Sequence, residues 1–381
     1  RRGLQCASLG AEISDDVPKR GGAPMNQWMA LAGTFLVALL VCMYVAPLLA
    51  DAARRYGLVD APDGGLKTQR EPVAYMGGLA VYLAVVAALA VALPIGGEVH
   101  DDLFDDPQVL GMLLGATLFM AVGLLDDLTP LTARDKIMGQ LLACAVLIKA
   151  GVAVQLISLP AAAQIGMTVL WVLACCNAIN LVDVHDGLAA SLSGLSALGF
   201  LVLGVMVGDL RLAVLAAAVA GASFGFLRMN RPPARQYLGD TGALFLGSTL
   251  AMLALMARYE GQSGWMPYLV PVALLGVPFI EVTQLIITRL RLGLSPFKGS
   301  RHHIAHRLID RGWSDRGVVL FNGTLQLVFI LAALFGLLCA EWETVSQIVL
   351  AVLVVVALAT LTLLPALRTH QKDDDQKADA Q

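Results

Sequence analysis

Carboxylates and amides in this sequence are concentrated at the ends of apolar runs. Asp126 and Asp127 are adjacent and directly follow one such run, and Lys136 lies ten residues after Asp126. Two adjacent carboxylates repel each other, so they are stable near water, near a cation, or where one stays protonated. The pair therefore indicates either a solvated helix end or a metal or general-base site. Lys136 could neutralise the pair or bind a phosphate as a point charge.

A second polar cluster closes another apolar run. Asn177, Asn180 and Asp183 recur every three residues, which places them on one face of a helix. Asp186 follows at a turn marked by Gly187. Two amides and two carboxylates at the end of an otherwise apolar helix are hard to explain structurally. Oxygen ligands of this kind suit Mg²⁺ or Mn²⁺, which combine one or two carboxylates with phosphate oxygens of a substrate.

A third carboxylate, Asp240, lies between Gly239 and Gly242, at the start of a further apolar run. Glycines allow the backbone to approach a ligand closely. An Asp at the start of a helix also acts as a simple cap, so ligand binding and capping both remain open for Asp240.

The segment 295–307 is basic and contains three histidines. Binding of a diphosphate or another anion would use its cations, and a juxtamembrane patch for anionic lipids would use the same groups. Zinc ligation by His302 or His303 together with His306 is a further alternative, although neither a Cys nor an HExxH motif accompanies the histidines.

The chain that carries these residues has the composition of a membrane protein. Of 381 residues, 57% are apolar and 14% are charged, and the mean hydropathy is +0.73, whereas soluble domains have about 25% charged residues. A net charge of −3 gives no case for a nucleic-acid partner. A helix needs about 20 apolar residues to cross a bilayer. Eleven stretches approach that length: 27–50, 75–96, 108–125, 137–157, 163–182, 187–207, 210–228, 241–257, 266–288, 318–339 and 345–367.

Lys and Arg are divided unequally between the two sides of these spans. Nineteen lie in the odd-numbered loops and the C-terminal tail, and two, Arg211 and Arg258, lie in the opposite loops. The positive-inside rule therefore places the odd-numbered loops and the C-terminus in the cytoplasm and, with eleven spans, the N-terminus outside. The polar clusters described above all fall on the cytoplasmic side.

The predicted fold is an all-α polytopic membrane protein with one transmembrane domain, residues 25–368. Residues 1–24 lack the apolar core of a signal peptide and are expected to be a disordered leader or upstream readthrough, and residues 369–381 a disordered tail. The spacing of Gly111 and Gly115 is a weak indication of a homodimer. The expected active-site loops are 51–74, 126–136, 183–187, 228–240 and 289–317.

One membrane face thus combines carboxylates for a divalent cation with a basic segment for phosphates. That combination is typical of phosphoryl transfer at a membrane surface. A Walker A loop is missing from the sequence, so ATP is not expected as the donor.

Five segments resemble, in order, those of the polyprenyl-phosphate N-acetylhexosamine-1-phosphate transferase family, over about residues 60–308. The segments are Asp60-Ala-Pro with Pro72 and Gly77-Gly78; Gly123-Leu-Leu-Asp126-Asp127 with Lys136 and Gln140; Asn177-Ala-Ile-Asn180-Leu-Val-Asp183-Val-His-Asp186-Gly187; Asn230-Arg-Pro-Pro-Ala with Gly239-Asp240-Thr-Gly242; and Ser295-Pro-Phe-Lys298 with Arg301-His-His303-Ile-Ala-His306. The resemblance implies transfer of a sugar phosphate from a UDP-N-acetylhexosamine to polyprenyl phosphate, releasing UMP, with Mg²⁺ or Mn²⁺. It also implies a site facing the cytoplasm in the inner (cytoplasmic) membrane. Eleven spans fit the branch that uses UDP-GlcNAc better than the muramyl-pentapeptide branch.

The resemblance also implies roles for individual residues. Asp126 would activate the lipid phosphate, and Asp127 would help to hold the metal or substrate. Asp240 is the best metal ligand by analogy, with Asp183 next to it. The candidates for substrate binding are Asn177, Asn180, Asp186 and Asn230 for the nucleotide, Lys67 and Lys136 for phosphate charge, and Arg301, His303 and His306 for the diphosphate or sugar.

The sequence departs from the family pattern at several positions. Val184 stands where a glycine is expected, Ala305 replaces a histidine, Ser300 replaces an acidic residue, and Glu281 stands where an Asp is expected. The identity of the sugar therefore does not follow, and UDP-MurNAc-pentapeptide or another UDP-sugar is an alternative donor. A transporter or a catalytically degenerate relative is the alternative from another class. The retained carboxylates at one membrane face weigh against both.

Overall fold

The computed structural model describes residues 25–61, 72–92, 107–154, 159–257, 266–295, 302–339 and 343–363. The expected leader and tail, and the site candidates Lys67 and Arg301, lie outside these ranges.

The described chain is almost entirely helical, as the composition predicts. A short antiparallel hairpin of β1 (Val59–Asp60) and β2 (Val73–Ala74) follows the first helix. The helices are α1 (Met25–Arg55), α2 (Gly77–Ala92), α3 (Pro107–Leu128), α4 (Ala133–Lys149), α5 (Ala161–Val182), α6 (Leu188–Val207), α7 (Leu210–Asn230), α8 (Gly239–Met256), α9 (Met266–Ala273), α10 (Gly276–Arg291), α11 (Ile304–Ile309), α12 (Asp315–Leu338) and α13 (Glu343–Leu363).

Seven of these helices are long and apolar enough to cross a membrane, and the number is eight if the bent pair α9 and α10 counts as one span. The seven are α1, α3, α5, α6, α7, α8 and α12. The other expected spans coincide with α2, α4 and α13. Helix α2 has 16 residues and α4 has 17, and the apolar stretch of α13 is Thr344–Leu358. The chain is therefore an all-α integral membrane protein.

The stretch 266–288, expected to be one continuous span, is two helices that meet at 77°. Pro278 lacks an N–H and cannot donate to the carbonyl of Leu274, four residues earlier. The Gln326 side chain from α12 fills this gap, because its Nε2 donates to the Leu274 carbonyl at 2.8 Å and its Oε1 accepts from the Val277 N–H at 2.9 Å. Backbone polar groups within a membrane need partners inside the protein, so this buried glutamine stabilises the bend.

Helices α7 and α8 form the centre of the bundle and are the most buried of the long helices. Helices α1 and α6 pack against α7, and α3 and α5 pack against α8. Small residues permit this close packing. The α2–α8 crossing shows it most clearly, since a Cβ atom added at Gly78 would lie 2.0 Å from the backbone nitrogen of Gly242.

The spacing of Gly111 and Gly115 serves packing inside the chain. A Cβ atom at Gly111 would lie 2.0 Å from the Ala150 Cβ, and one at Gly115 would meet the Leu147 side chain. Both glycines thus face the end of α4 in the same chain. The spacing therefore gives no support for a homodimer, which stays a prediction.

Replacement of Gly78 tests the contact between α2 and α8. We expect Gly78→Ala to lower the free energy of unfolding by about 1–3 kcal/mol or more, because overpacking would separate two backbones in contact. Gly166→Ala in α5 is the matched control, since nothing lies within 4 Å of its added Cβ. That change should be neutral or slightly stabilising. Thermal unfolding in detergent measures both variants, and equal midpoints would contradict the close crossing.

Candidate functional site

Three helix ends bring carboxylates to one end of the bundle. The last turn of α3 carries Asp126 and Asp127, and the first turn of α8 carries Asp240. Asp183 is the residue that ends α5. Because α3 and α5 both pack against α8, these side chains meet although they are far apart in sequence.

Asp127 holds the start of α8. Its Oδ1 accepts the Asp240 N–H at 2.9 Å, and its Oδ2 accepts the Thr241 N–H at 3.0 Å and the Thr241 hydroxyl. The first N–H groups of a helix have no partner within the helix, and a carboxylate there is stabilised by the helix dipole. Asp127, from another helix, is therefore the cap of α8, and the simple capping role weighed for Asp240 belongs to Asp127.

The glycine before Asp240 is needed for this contact. Gly239 has φ of +71°, and a Cβ atom there would lie 2.6 Å from Oδ2 of Asp127. The two glycines around Asp240 were interpreted as room for a ligand. In the structure, Gly239 makes room for the Asp127 carboxylate and Gly242 for the backbone of Gly78.

Lys136 links Asp126 of α3 to Asp240 of α8. Its Nζ lies 2.8 Å from an oxygen of Asp126 and 2.8 Å from Oδ2 of Asp240. Helix α4 begins where the Thr132 hydroxyl accepts the Asp135 N–H, which places Lys136 in the first turn. The expectation that Lys136 neutralises charge is thus met by geometry, and its partners are one acid of the adjacent pair and Asp240.

The end of α5 completes the cluster. The Asn180 amide donates to Oδ1 of Asp240. Asp183 accepts the Gly239 N–H, and burial, followed by the negative charges of Asp240 and Asp127, raises the pKa of its carboxyl well above the usual range. Asn177 is exposed, and its amide donates to the Leu173 carbonyl one turn earlier. Of the three residues expected on one face, Asn180 and Asp183 contact the α8 start and Asn177 points elsewhere.

The cluster fits a divalent cation in donor type and in charge. Asp126, Asp127, Asp183 and Asp240 are hard oxygen donors, and Lys136 is the cation among them, so a negative excess remains for Mg²⁺ or Mn²⁺. In the described part of the chain, however, no three Asp, Glu, His or Cys side chains are arranged ready to hold a metal. A cation would compete with the Lys136 ammonium for Asp126 and Asp240.

Asn230 and Asp186, the other two candidates for nucleotide binding, hold the loops beside the cluster. Asn230 is buried, and its amide accepts the Gly187 N–H at 3.0 Å and donates to the Gln236 carbonyl at 3.0 Å. Asp186 accepts the Ala234 N–H at 2.8 Å, and burial raises the pKa of its carboxyl. Asn230 therefore positions the loop backbone, while Asp186 keeps one carboxyl oxygen that no described hydrogen bond uses.

Val184 fits its position without strain. The family pattern has a glycine there, but among the described residues Met76 is the one non-glycine with positive φ. A branched side chain is compatible with the ordinary backbone at Val184. This departure therefore leaves the loop geometry intact.

The histidine segment is built on α10 and α11. Glu281 is buried in α10, and its Oε1 lies 2.9 Å from Nδ1 of His303. The same carboxylate accepts the Ile304 N–H, at 3.2 Å to each oxygen. The rings of His303 and His306 are 6.0 Å apart. Glu281 thus fixes both the ring of His303 and the start of α11.

Two supporting residues do not stand out in the sequence. Thr241 is part of a glycine-rich motif there, yet in the structure its hydroxyl donates to Asp127. Glu281 departs from the family pattern, and a carboxylate inside an apolar run is the signal that it needs a partner. Zinc ligation by the histidines gains no support from the geometry, because among the described residues no three His, Cys, Asp or Glu side chains are grouped to hold a metal.

Replacement of Glu281 tests this anchoring. We expect Glu281→Ala to lower the free energy of unfolding by about 1–3 kcal/mol, because it leaves the buried Ile304 N–H and His303 Nδ1 without their partner. Amide hydrogen exchange across 303–309 should become faster, and Glu281→Gln should retain part of the protection. Asp310→Asn, an exposed carboxylate at the end of α11, is the control. Unchanged exchange in Glu281→Ala would contradict the anchoring role.

Comparison with known proteins identifies the family to which this chain belongs. The model of glycosyl transferase family 4 matches residues 109–258, which include Asp126, Asp127, Lys136, Asp183 and Asp240. A probable undecaprenyl-phosphate N-acetylglucosaminyl 1-phosphate transferase of Bacillus subtilis is 30% identical over 340 residues, covering 86% of this chain and 91% of that protein. A decaprenyl-phosphate N-acetylglucosaminephosphotransferase of Mycobacterium tuberculosis is 29% identical, covering 94% of this chain and 96% of that protein. A phospho-N-acetylmuramoyl-pentapeptide-transferase of Desulforamulus reducens is 31% identical, covering 81% and 95%. The chain belongs to glycosyl transferase family 4, the family of polyprenyl-phosphate N-acetylhexosamine-1-phosphate transferases.

Proposed function

We propose that this enzyme transfers N-acetylhexosamine-1-phosphate from a UDP-sugar to polyprenyl phosphate of the undecaprenyl type. The group that we propose it transfers is GlcNAc-1-phosphate. The products are polyprenyl-diphosphate-sugar and UMP, which makes the reaction a first membrane step in cell-envelope polysaccharide synthesis. The observation that carries the proposal is the cluster of Asp126, Lys136 and Asp240, with Asp127 and Asp183 beside it. Relatives named as transferases onto undecaprenyl and decaprenyl phosphate support it over nearly the whole chain.

In the proposed reaction, an oxygen of the lipid phosphate attacks the β-phosphorus of the UDP-sugar. The bond from that phosphorus to the bridging oxygen breaks, and UMP leaves with that oxygen. Asp126 would take any proton left on the lipid phosphate, although a phosphate monoester is already largely ionised near pH 7. Lys136, held between Asp126 and Asp240, would neutralise charge on the transferred group. Positioning and charge neutralisation therefore contribute more than base catalysis.

We propose Mg²⁺ or Mn²⁺ as the cofactor, with Asp240, Asp183 and Asp127 as the residues that would hold it. The ion would neutralise charge on the diphosphate oxygens. Asp240 is the strongest candidate, because its carboxylate contacts both Lys136 and Asn180 at the centre of the cluster. Asp127 would offer a carboxylate oxygen to the ion while it also holds the first turn of α8.

The proposed substrate contacts separate into two groups. Asn180 and Asp186 lie in or beside the carboxylate cluster and would contact the nucleotide, while Asn230 supports the loop that carries Gly187. His303 and His306, with Arg301, would contact the diphosphate or sugar. Lys67 and Arg301 keep their proposed phosphate-binding roles on the resemblance alone.

We propose eleven membrane crossings, made by the seven long helices, the bent pair α9–α10, and helices α2, α4 and α13. The N-terminus would then lie outside, the C-terminus in the cytoplasm, and the carboxylate cluster at the cytoplasmic face of the inner membrane. The charge asymmetry between the loops supports this orientation.

Accessibility of single cysteines tests the orientation. On a background without native cysteines, Ala161→Cys should react with a membrane-impermeant maleimide in cells whose inner membrane is intact. Arg134→Cys should react only after that membrane is disrupted, because the helix that separates these positions crosses the bilayer. Both positions are exposed in the structure. The reverse labelling pattern would overturn the proposed orientation.

The muramyl-pentapeptide donor remains the second candidate. The observation that favours it is the relative from Desulforamulus reducens, which matches at 31% identity and is named for that reaction. Both candidates use the same carboxylate cluster, so they differ in the donor and share the mechanism. A transporter or an inactive relative is less consistent with four carboxylates converging around one lysine at one end of the bundle.

An assay of UMP release tests reaction and donor together. With polyprenyl phosphate and Mg²⁺, we expect release from UDP-GlcNAc and not from UDP-MurNAc-pentapeptide. Chelation of the metal should stop the reaction, and added Mg²⁺ or Mn²⁺ should restore it. Asp240→Asn should lower kcat by about 10²–10³, the size of effect seen when one group that stabilises transition-state charge is removed.

Asp310→Asn makes the same chemical change on the exposed surface and should leave kcat unchanged. Release from the pentapeptide donor alone would move the enzyme to the second candidate. Folded protein that releases UMP from no member of a panel of UDP-sugars would contradict the proposed transferase activity. Activity that survives chelation would contradict the proposed dependence on a metal ion.

A further inference from the structure

A second cleft lies apart from the carboxylate cluster. It has a volume of about 1130 Å³ and is enclosed by the end of α1, the start of α6, the end of α7 with the loop after it, and the start of α12. None of Asp126, Lys136, Asp183 or Asp240 is among the residues that line it. Its lining draws on the expected active-site loops 51–74, 183–187, 228–240 and 289–317, but none of the described residues proposed for the transfer reaction is part of it.

The charge of this cleft is strongly positive. Among the residues that the structure describes, Asp51 is the one carboxylate in the lining, and the cations are Arg54, Arg228, Arg231, Arg235 and Arg316. Arg54 pairs with Asp51 at 3.0 Å and also donates to the Arg235 carbonyl at 3.2 Å. Four guanidinium groups thus remain in the lining without a carboxylate there to balance them. Planar guanidinium groups bind phosphate oxygens through two parallel hydrogen bonds.

The other wall of the cleft is apolar. Leu227, Val319 and Leu320 line it, together with Pro47 of α1. Leu320 is 71% exposed, so an apolar side chain on α12 faces outward beside a group of cations. A ligand that fills this cleft therefore has an anionic end and an apolar end.

The cleft lies at the ends of three helices that are long and apolar enough to cross a membrane. Arg54 is in the last turn of α1, Arg228 in the last turn of α7, and Arg316 in the first turn of α12. Asn230 at the end of α7 contacts Gly187 beside the carboxylate cluster, so these helix ends share the face proposed to be cytoplasmic. Basic pockets between membrane helices at that face bind anionic lipid headgroups.

We propose that this cleft binds an anionic phospholipid, with the phosphodiester of its headgroup on the arginines and an acyl chain along Leu227, Val319 and Leu320. The ligand is distinct from the polyprenyl acceptor, whose phosphate must reach Lys136 and Asp126. The inference goes beyond the proposed transfer reaction and does not depend on the donor.

Lipid in this cleft would also hold the loop beside the active site. Residues Arg231 and Arg235 flank Ala234, whose N–H binds the Asp186 carboxylate. A phosphate on these arginines would therefore stabilise this loop. Binding should raise the thermal unfolding midpoint of the whole protein.

Native mass spectrometry of the full chain in detergent tests the proposal, with phosphatidylglycerol, phosphatidylcholine and soluble glycerol phosphate as three separate probes. We expect retained phosphatidylglycerol and a raised unfolding midpoint, weaker binding of phosphatidylcholine, and no retained glycerol phosphate. The double variant Arg228→Gln with Arg316→Gln removes a cation from each wall of the cleft. It should weaken phosphatidylglycerol binding by about tenfold or more.

The matched control is Arg134→Gln with Arg291→Gln, which removes two exposed cations from the same face outside the cleft. It should retain phosphatidylglycerol as the unsubstituted protein does. Equal loss in both double variants, or equal retention of phosphatidylcholine, would overturn the proposal. Retention of glycerol phosphate as tight as that of phosphatidylglycerol would show a site for soluble anions and would also overturn it. To show that the cleft variant is folded, its thermal unfolding midpoint is compared with that of the unsubstituted protein in the absence of lipid, and the two should be equal.

Discussion

The hold of Asp127 on the first turn of α8 is the interaction on which the site depends. Helix α8 is among the most buried helices of the bundle, so its first N–H groups cannot rely on water. Asp127 supplies the acceptors from α3, and Gly239 gives the carboxylate room to approach. This contact places Asp240 within reach of both Lys136 and Asn180. The excess of negative charge that results is tolerated because Lys136 lies within it, and the same excess suits a divalent cation.

A second constraint is the need to pair every polar backbone group inside an apolar bundle. At the bend between α9 and α10, Gln326 replaces the hydrogen bond that Pro278 cannot make. On the far side of that bend, Glu281 binds His303 and the start of α11. The bend turns α10 aside from the course of a straight span. One buried glutamine and one buried glutamate therefore support the histidine segment, which the apolar residues alone could not place.

The residues that depart from the family pattern have different consequences. Val184 occupies ordinary backbone space, so the loop after α5 keeps its shape. Glu281 keeps a carboxylate in contact with His303, and Ala305 is buried in α11. The cluster keeps all four carboxylates, Asp126, Asp127, Asp183 and Asp240, on which the proposed transfer chemistry depends. Glu281 and Ala305 thus lie in the part of the site proposed to contact the diphosphate or sugar.

The sequence alone determined the class of protein, the family, and most of the cluster. Apolar runs of membrane length, the Asp126-Asp127 pair, the spacing of Asn180 and Asp183, and the glycines around Asp240 are local patterns, and local patterns are visible in one dimension. Only the tertiary structure decided which oxygen meets which donor. It made Asp127 a cap, Asn230 a loop support and Asn177 an outward-facing residue, and it divided the ninth span at Pro278. The arginine cleft also escaped the sequence, because its walls come from α1, α6, α7 and α12. Contacts between distant segments depend on how helices pack, and packing is set by small residues and buried polar partners that a periodic pattern does not specify.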